Sequence, residues 1–339
     1  LLFKFGITDT HEAARFIQNG RILLAEQKLG EYQLFYSFYL LIIAISLFFT
    51  KSIIPIVFLQ LSLNLVSTIL FYKICNKLVS KNNSLWATLL MIIFYPLQQW
   101  NFYIYTESIF ISEIIILLYL LLFLNFDKSL SYIWLGIIYT VTFFTRPPAV
   151  YLAIPILLFL GMNYKLFDKT KLAATMFIIL IFGLIGKSFQ YHYYINSFMK
   201  KVVHENWIIG GYSGINIISL PDNFCAYHCE IISKRFIYYF GLIRPYYSKI
   251  HNIYLASFNP IYLFAAIGIF NRSNFPRKIN FFIILVIAAF STGTLLTFIN
   301  WHGRFIAPII PLIIIMAAIG YQKVSDKYFH KSDNLPDHN

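Results

Sequence analysis

Charged residues are scarce in this sequence: Asp, Glu, Lys and Arg make up 12% of 339 residues, where a soluble globular chain carries roughly 25%. That scarcity excludes an ordinary water-soluble domain. Apolar residues fill the gap, at 59% with a mean hydropathy of +0.67. Acids are the scarcer sign, 14 against 27 Lys and Arg, for a formal charge of +13. In a soluble protein that excess would point to nucleic acid. Here the basic residues cluster between apolar runs, so they report topology, and no nucleic-acid partner is expected. Cysteine is also sparse, at three residues, too few to define a disulfide framework. Cys75 stands at the end of an apolar run, and the Cys-x3-Cys pair of Cys225 and Cys229 has no second dyad for a zinc site, so a local disulfide or two free thiols is expected there. The chain opens Leu1-Leu2-Phe3 without an initiator Met or a complete signal peptide, and an upstream segment is expected. No internal repeat is visible.

What is abundant is long apolar sequence. Runs at 33–50, 53–72, 85–100, 108–124, 131–145, 149–164, 172–194, 256–270, 279–299 and 304–321 approach the ~20 residues that carry a helix across a hydrocarbon core of about 30 Å. Only helices close their own backbone hydrogen bonds within one such run. The expected fold is therefore all-α, a polytopic transmembrane helical bundle with about nine or ten crossings, juxtamembrane helices and one external loop domain. The runs at 131–145 and 149–164 are short and flank Arg146-Pro147-Pro148, which predicts a tilted or thinned hairpin. Residues 1–32, of mixed charge, predict an amphipathic helix lying on a surface.

Orientation follows from basic residues. Lys73, Lys77 and Lys81, then Lys165, Lys169 and Lys171, then Arg272, Arg277 and Lys278, then Lys323, Lys327 and Lys331 form four groups that share the cytoplasmic side. The opposite loops at 101–107, 146–148 and 300–303 are nearly free of Lys and Arg. A Tyr-rich insert at 195–255 is long enough to escape the rule and forms the external domain. The run 33–50 either crosses, which puts 1–32 inside, or lies along the outer surface, which puts them outside. Basic-residue counting permits both.

Four polar clusters meet at the outer boundary. Asp9 lies in Gly6-Ile7-Thr8-Asp9-Thr10-His11-Glu12, where an ordinary helix N-cap is the simplest reading. Glu107 ends the stretch Trp100–Glu107 and opens the next apolar run, where the helix dipole alone favours it. Glu113 lies deeper in that run, where an ionised side chain costs roughly 3 kcal/mol. It reads as a neutral acid bonded to a neighbouring helix or as a catalytic group, with Lys187 a candidate partner. Arg146, in Phe144-Thr145-Arg146-Pro147-Pro148, and Arg304, in Asn300-Trp301-His302-Gly303-Arg304-Phe305, stand where outward basic residues are otherwise rare. Guanidinium groups at that depth suit a phosphate, either as lipid-headgroup anchors or as a ligand site.

Taken in order, these clusters resemble the GT-C superfamily of membrane glycosyltransferases, in particular the branch holding bacterial polyprenyl-phosphate-sugar transferases and the protein O-mannosyltransferases. The carriers are Thr8-Asp9-Thr10, Tyr105-Thr106-Glu107-Ser108, Thr145-Arg146-Pro147, Arg304-Phe305-Ile306-Ala307-Pro308 and, in the insert, Phe240-Gly241-Leu242-Ile243-Arg244-Pro245-Tyr246-Tyr247-Ser248. The resemblance implies a GT-C-like bundle whose first span precedes Leu1. Residues 1–52 then form an external first loop with juxtamembrane helices, 53–194 a transmembrane bundle, 195–255 the periplasmic loop domain, 256–321 the C-terminal spans and 322–339 a cytoplasmic tail. It further implies an inverting transfer from a polyprenyl-phosphate-linked sugar donor to a lipid, glycan or protein acceptor, among membrane lipids, at the periplasmic face of a bacterial cytoplasmic membrane. Asp9 is the implied base and Glu107 its supporting carboxylate. Arg304, with Arg146 or Arg244 and His302, is implied to hold the phosphate. A divalent metal is compatible with this site but not required. In the family a Tyr usually follows the Asp by a few residues, whereas Phe16 stands seven on, which leaves Glu12 as the alternative acid. A lipid-linked glycan polymerase or flippase is the competing class; a secondary transporter should show paired interrupted helices and internal symmetry, and neither is seen.

Overall fold

A computed structural model describes residues 7–9, 12–30, 33–164, 236–237, 239–241, 243, 247–270, 277–297 and 304–329. The apolar run at 172–194, the lysines at 165–171, Lys187, Arg244, His302, Cys225 and Cys229 lie outside the described residues.

Among the described residues all regular structure is helical, and the one β-bridge is an isolated parallel contact between Thr8 and Tyr103. Helix α1 (Glu12–Glu26) carries its buried residues Ala13, Ile17 and Gly20 on one face, the spacing of an amphipathic helix. That face lies on α2 (Ser37–Thr50). Contact is close: a Cβ on Gly20 would overlap the Ile43 side chain. Helix α3 (Ile54–Leu78) is the longest, at 25 residues, or about 37 Å at 1.5 Å per residue. Helix α4 (Lys81–Ile93) begins at Ser80, whose hydroxyl accepts from Asn83 N, and ends at Phe94.

The run 85–100 is therefore not one helix. Pro96 has no N–H to continue the ladder, and the chain turns through the short α5 (Tyr95–Gln98) into a 3-10 turn at Gln99–Phe102. The Gln98 amide donates to the Met91 carbonyl at 2.9 Å, satisfying an oxygen near the end of the broken helix.

Helix α6 (Glu107–Phe123) lies at the centre, buried along most of its length. It packs between α3 and α7 (Ser129–Thr145) and meets the 3-10 turn at Ala307–Ile309. Helix α7 also leans on α2, whereas α8 (Val150–Tyr164) lies against α11 (Arg277–Thr297). The expected hairpin thus opens at Arg146-Pro147-Pro148, each arm having its own partner. Helices α9 (Lys249–Ala256) and α10 (Pro260–Ile269) follow the insert. Helix α12 (Ile310–Phe329) packs on α4 and, most extensively, on α10. Cβ atoms added to Gly268 and Gly320 would overlap the carbonyl oxygens of Met316 and Phe264, so α10 and α12 touch backbone to backbone, as small residues permit in membrane helices.

Four described stretches are long and apolar enough to cross a membrane: Gln33–Thr50, Ile54–Leu78, Lys249–Ile269 and Ala307–Lys327. Shorter apolar helices cover Ser129–Thr145, Pro147–Met162 and Lys278–Thr294. The described residues leave out the expected run at 172–194, and within them the break at Pro96 leaves the run 85–100 short of a full crossing. Helix α12 runs past the expected boundary at 321, carrying Lys323 and Lys327 on its last turns. Phe48, Phe49, Phe58, Trp86 and Phe270 are exposed on the outside, while Gln60, Glu107, Glu113 and Arg146 are buried inside. Apolar surface facing outward around a polar interior supports an integral membrane protein.

Candidate functional site

The site begins with two prolines and a helix start. Pro147 disfavours helical backbone at the residue before it, and Arg146 is extended, with φ −160° and ψ 133°. The guanidinium leaves the end of α7 there and meets α6. Glu107 is the first residue of α6, where a carboxylate is favoured by the helix dipole. Capping does not explain its surroundings, however. The side chain is fully buried, and its Oε1 accepts from Arg146 Nη2 at 3.1 Å and also from Arg304 Nε. Thr106 Oγ1 lies 3.3 Å from the other oxygen, Oε2.

Arg304 arrives from the turn before Ala307–Ile309 and links two carboxylates, because its Nη1 donates to Glu12 Oε2 on the first turn of α1. Its guanidinium also lies 5.0 Å from the Tyr105 ring centre, a cation–π contact. Burial works against the Arg304 charge, but Glu107 and Glu12 more than offset it and hold its pKa above the ordinary value. Arg146 sits deeper, between the Phe110 and Phe305 rings at 5.8 and 5.7 Å. Burial pulls its pKa below the usual value, with Glu107 opposing; an arginine remains a cation regardless. One of its nitrogens, Nη1, is buried without an acceptor among the described residues. An orphaned charged donor is costly. One guanidinium donor is thus available to an acceptor outside the described residues.

Asp9 is held close by backbone pairing. Thr8 N donates to Phe102 O at 2.9 Å, and Ile104 N donates to Thr8 O at 3.3 Å, which fixes the first loop along residues 102–104. The Asp9 side chain is exposed, and among the described residues it has no ion pair or hydrogen bond. The structure thus gathers Glu12, Glu107, Arg146 and Arg304 into one ionic cluster and leaves Asp9 outside it, its carboxylate without a partner among the described residues. Phe16, standing where the family has Tyr, packs edge-on against Tyr36 and Tyr39, with ring centres 5.4 Å apart in each pair.

One residue of the site, Gln60, had no place in the sequence reading. Gln60, buried in mid α3, donates from Nε2 to the carbonyls of Trp100, Asn101 and Tyr103 at 3.3, 3.1 and 2.9 Å, and accepts from the Tyr39 hydroxyl at 3.2 Å. It therefore ties the loop that carries Glu107 to α2 and α3. An amide inside a 25-residue apolar helix was the available signal. Glu113 does have a neighbouring-helix partner, Thr145 Oγ1 at 2.8 Å. Tyr239, beside the insert motif, donates its hydroxyl to Phe305 O at 3.4 Å, reaching the Arg304 turn.

A divalent cation does not fit the described residues: no three His, Cys, Asp or Glu side chains converge, and Glu107 Oε1 is already shared by two guanidinium groups. The family model for dolichyl-phosphate-mannose-protein mannosyltransferase matches residues 35–185, somewhat less than half of the chain. The match takes in Glu107, Glu113 and Arg146 and leaves out Asp9, Glu12 and Arg304. No curated protein and no solved structure matches. The similarity supports a glycosyltransferase.

Proposed function

We propose that the protein is an inverting glycosyltransferase that moves a sugar from a polyprenyl-phosphate-linked donor to a lipid-linked glycan, lipid or protein acceptor at the outer face of the membrane. The observation that carries this reading is the buried Arg146, whose Nη1 has no acceptor among the described residues, held beside Arg304 by one shared carboxylate. Two guanidinium groups at the end of a helical bundle match a phosphate whose lipid tail stays in the bilayer. The family match, named for a lipid-phosphate sugar donor, agrees with that ligand class.

The polyprenyl phosphate of such a donor is already a good leaving group. The acceptor hydroxyl attacks the anomeric carbon, a new C–O bond forms as the bond to the phosphate oxygen breaks, and the polyprenyl phosphate departs with its charge stabilised by Arg146 and Arg304. The acceptor proton passes to a base. Asp9 is the carboxylate of the first loop that no arginine among the described residues neutralises, so it takes that role in this reading, while Glu107 is committed to holding the two cations. Glu12 is exposed and joined to Arg304 by the weaker, solvated pair. An incoming phosphate displaces it at small cost. His302 and Arg244 remain proposed phosphate ligands from the same outer segments, and residues 1–32 and 195–255 share that face in this reading.

The test is transfer by purified protein from a polyprenyl-monophosphate sugar. Stoichiometric release of polyprenyl phosphate with a glycosylated acceptor is expected. Movement of the intact lipid across a bilayer without release of polyprenyl phosphate refutes the reading in favour of a flippase.

A further inference from the structure

Deeper in the same bundle lies a second carboxyl that the transfer chemistry leaves unused. Glu113 is about one and a half turns along α6 from Glu107 and is buried. Its Oε1 is 2.8 Å from Thr145 Oγ1. Thr145 is the last residue of α7, and Arg146 follows it. The same hydroxyl lies 2.9 Å from the carbonyl oxygen of Val141.

One hydroxyl carries one proton, and a carbonyl oxygen only accepts. With the Thr145 proton given to Val141, the contact to Glu113 is closed by a proton on the carboxyl, which makes Glu113 the donor. Helix α6 then grips the Thr145-Arg146 step at two heights. Glu107 holds the guanidinium at 3.1 Å, and Glu113 holds the residue before it. Because Pro147 leaves Arg146 extended and outside the helix, the reach of its side chain depends on where α7 ends relative to α6.

We propose that Glu113 is a positioning residue for the lipid-phosphate site: as an uncharged hydrogen-bond donor to Thr145, it fixes the end of α7 against α6 and so sets the reach of Arg146 toward the donor phosphate. The inference rests on the glycosyl-transfer reading of the Arg146–Glu107–Arg304 cluster. Glu113 touches no substrate in this arrangement. Its effect is on donor binding, through Arg146.

The experiment compares donor KM, acceptor KM, kcat and melting temperature across variants of the purified full chain. Glu113→Leu and Thr145→Val keep apolar volume and remove the bond. Each should raise donor KM roughly tenfold, the low end of what losing a supporting hydrogen bond costs a positioned ligand, with acceptor KM and melting temperature near wild type. The double variant should be no worse than either single one, since both break the same contact. Glu113→Gln keeps a donor toward Thr145 and should restore donor KM. A Gln variant as impaired as the Leu variant overturns the proposal, since it makes the carboxyl an acting anion. Unchanged donor KM in Glu113→Leu and Thr145→Val, with Arg146→Ala impaired, overturns it as well and leaves the phosphate site standing. An Arg146→Ala variant with wild-type donor KM overturns the phosphate site itself, and the inference falls with it.

Discussion

Replacing Glu107 by Gln removes one negative charge and almost no volume, which makes it the most informative perturbation of the cluster. Arg146 Nη2 is 3.1 Å from Glu107 Oε1, so the gross attraction at an effective dielectric of ~20 is about 5 kcal/mol. The second leg, to Arg304, is partly solvated and counts for less. Without the carboxylate two guanidinium groups face each other, and Arg146 is a buried cation with no counter-ion. Breaking a buried pair in this way typically costs about 3–5 kcal/mol. Glu107→Gln should therefore lose that much stability in detergent, read as a large fall in the temperature at which half the protein survives heating. Adding Arg146→Gln should recover most of the loss, because two neutral amides replace the pair, yet the double variant should remain inactive for want of a phosphate ligand. A Glu107→Gln protein as heat-resistant as wild type would refute the reasoning, since Arg146 would then have to be neutralised by some other group.

The other predictions concern single groups. Asp9→Asn keeps size and N-capping ability, so it should fold normally and bind donor, while transfer falls about 100-fold to 10,000-fold; near-normal turnover would move the search for the base to Glu12. Arg304→Ala should weaken donor binding with Arg304→Lys rescuing only in part, because an ammonium lacks the planar fork; equal affinity in wild type and the Ala variant would reduce Arg304 to an interfacial anchor. Because the Arg304 pKa is raised above its ordinary value, its contribution is complete below the ordinary arginine range and fades only above that; donor affinity should be flat from about pH 6 to 9, and a slope there would assign the contact to another group. Glu12→Gln frees Arg304 Nη1 and should tighten donor binding up to about fivefold, the worth of an exposed pair near 1 kcal/mol; weaker binding would make Glu12 a ligand and not a competitor. Gly320→Val should break the backbone contact with Phe264 and cost about 1–3 kcal/mol of heat resistance, whereas an unaffected protein would mean that α10 and α12 are not in contact.

Much was legible in the chain itself. Apolar runs set a helical membrane protein, because hydrocarbon leaves backbone groups no other partner. Arg146 and Arg304 stood out because charge is expensive where they lie, and Glu107 because it opens an apolar helix. The break at Arg146-Pro147-Pro148 was readable from its prolines, whereas local rules failed at Pro96, where a composition window averages over a break that one missing N–H imposes. They failed again at Gln60, whose three carbonyl partners lie some forty residues away.

Which acid faces which arginine was decided only by tertiary packing. Asp9 and Glu12 look equivalent in the sequence, three residues apart in one polar turn. In the fold, Glu12 lies on α1 against Arg304, 292 residues further along, and Asp9, next to the parallel contact of Thr8 with Tyr103, has no partner among the described residues. Residue type and hydropathy determined that a charged cluster sits at the end of a helical bundle. Pairing within the cluster depends on distances across α1, α6, α7 and the 304–306 turn. Coulombic energy falls off over a few ångströms, and those are lengths that only the assembled helices define.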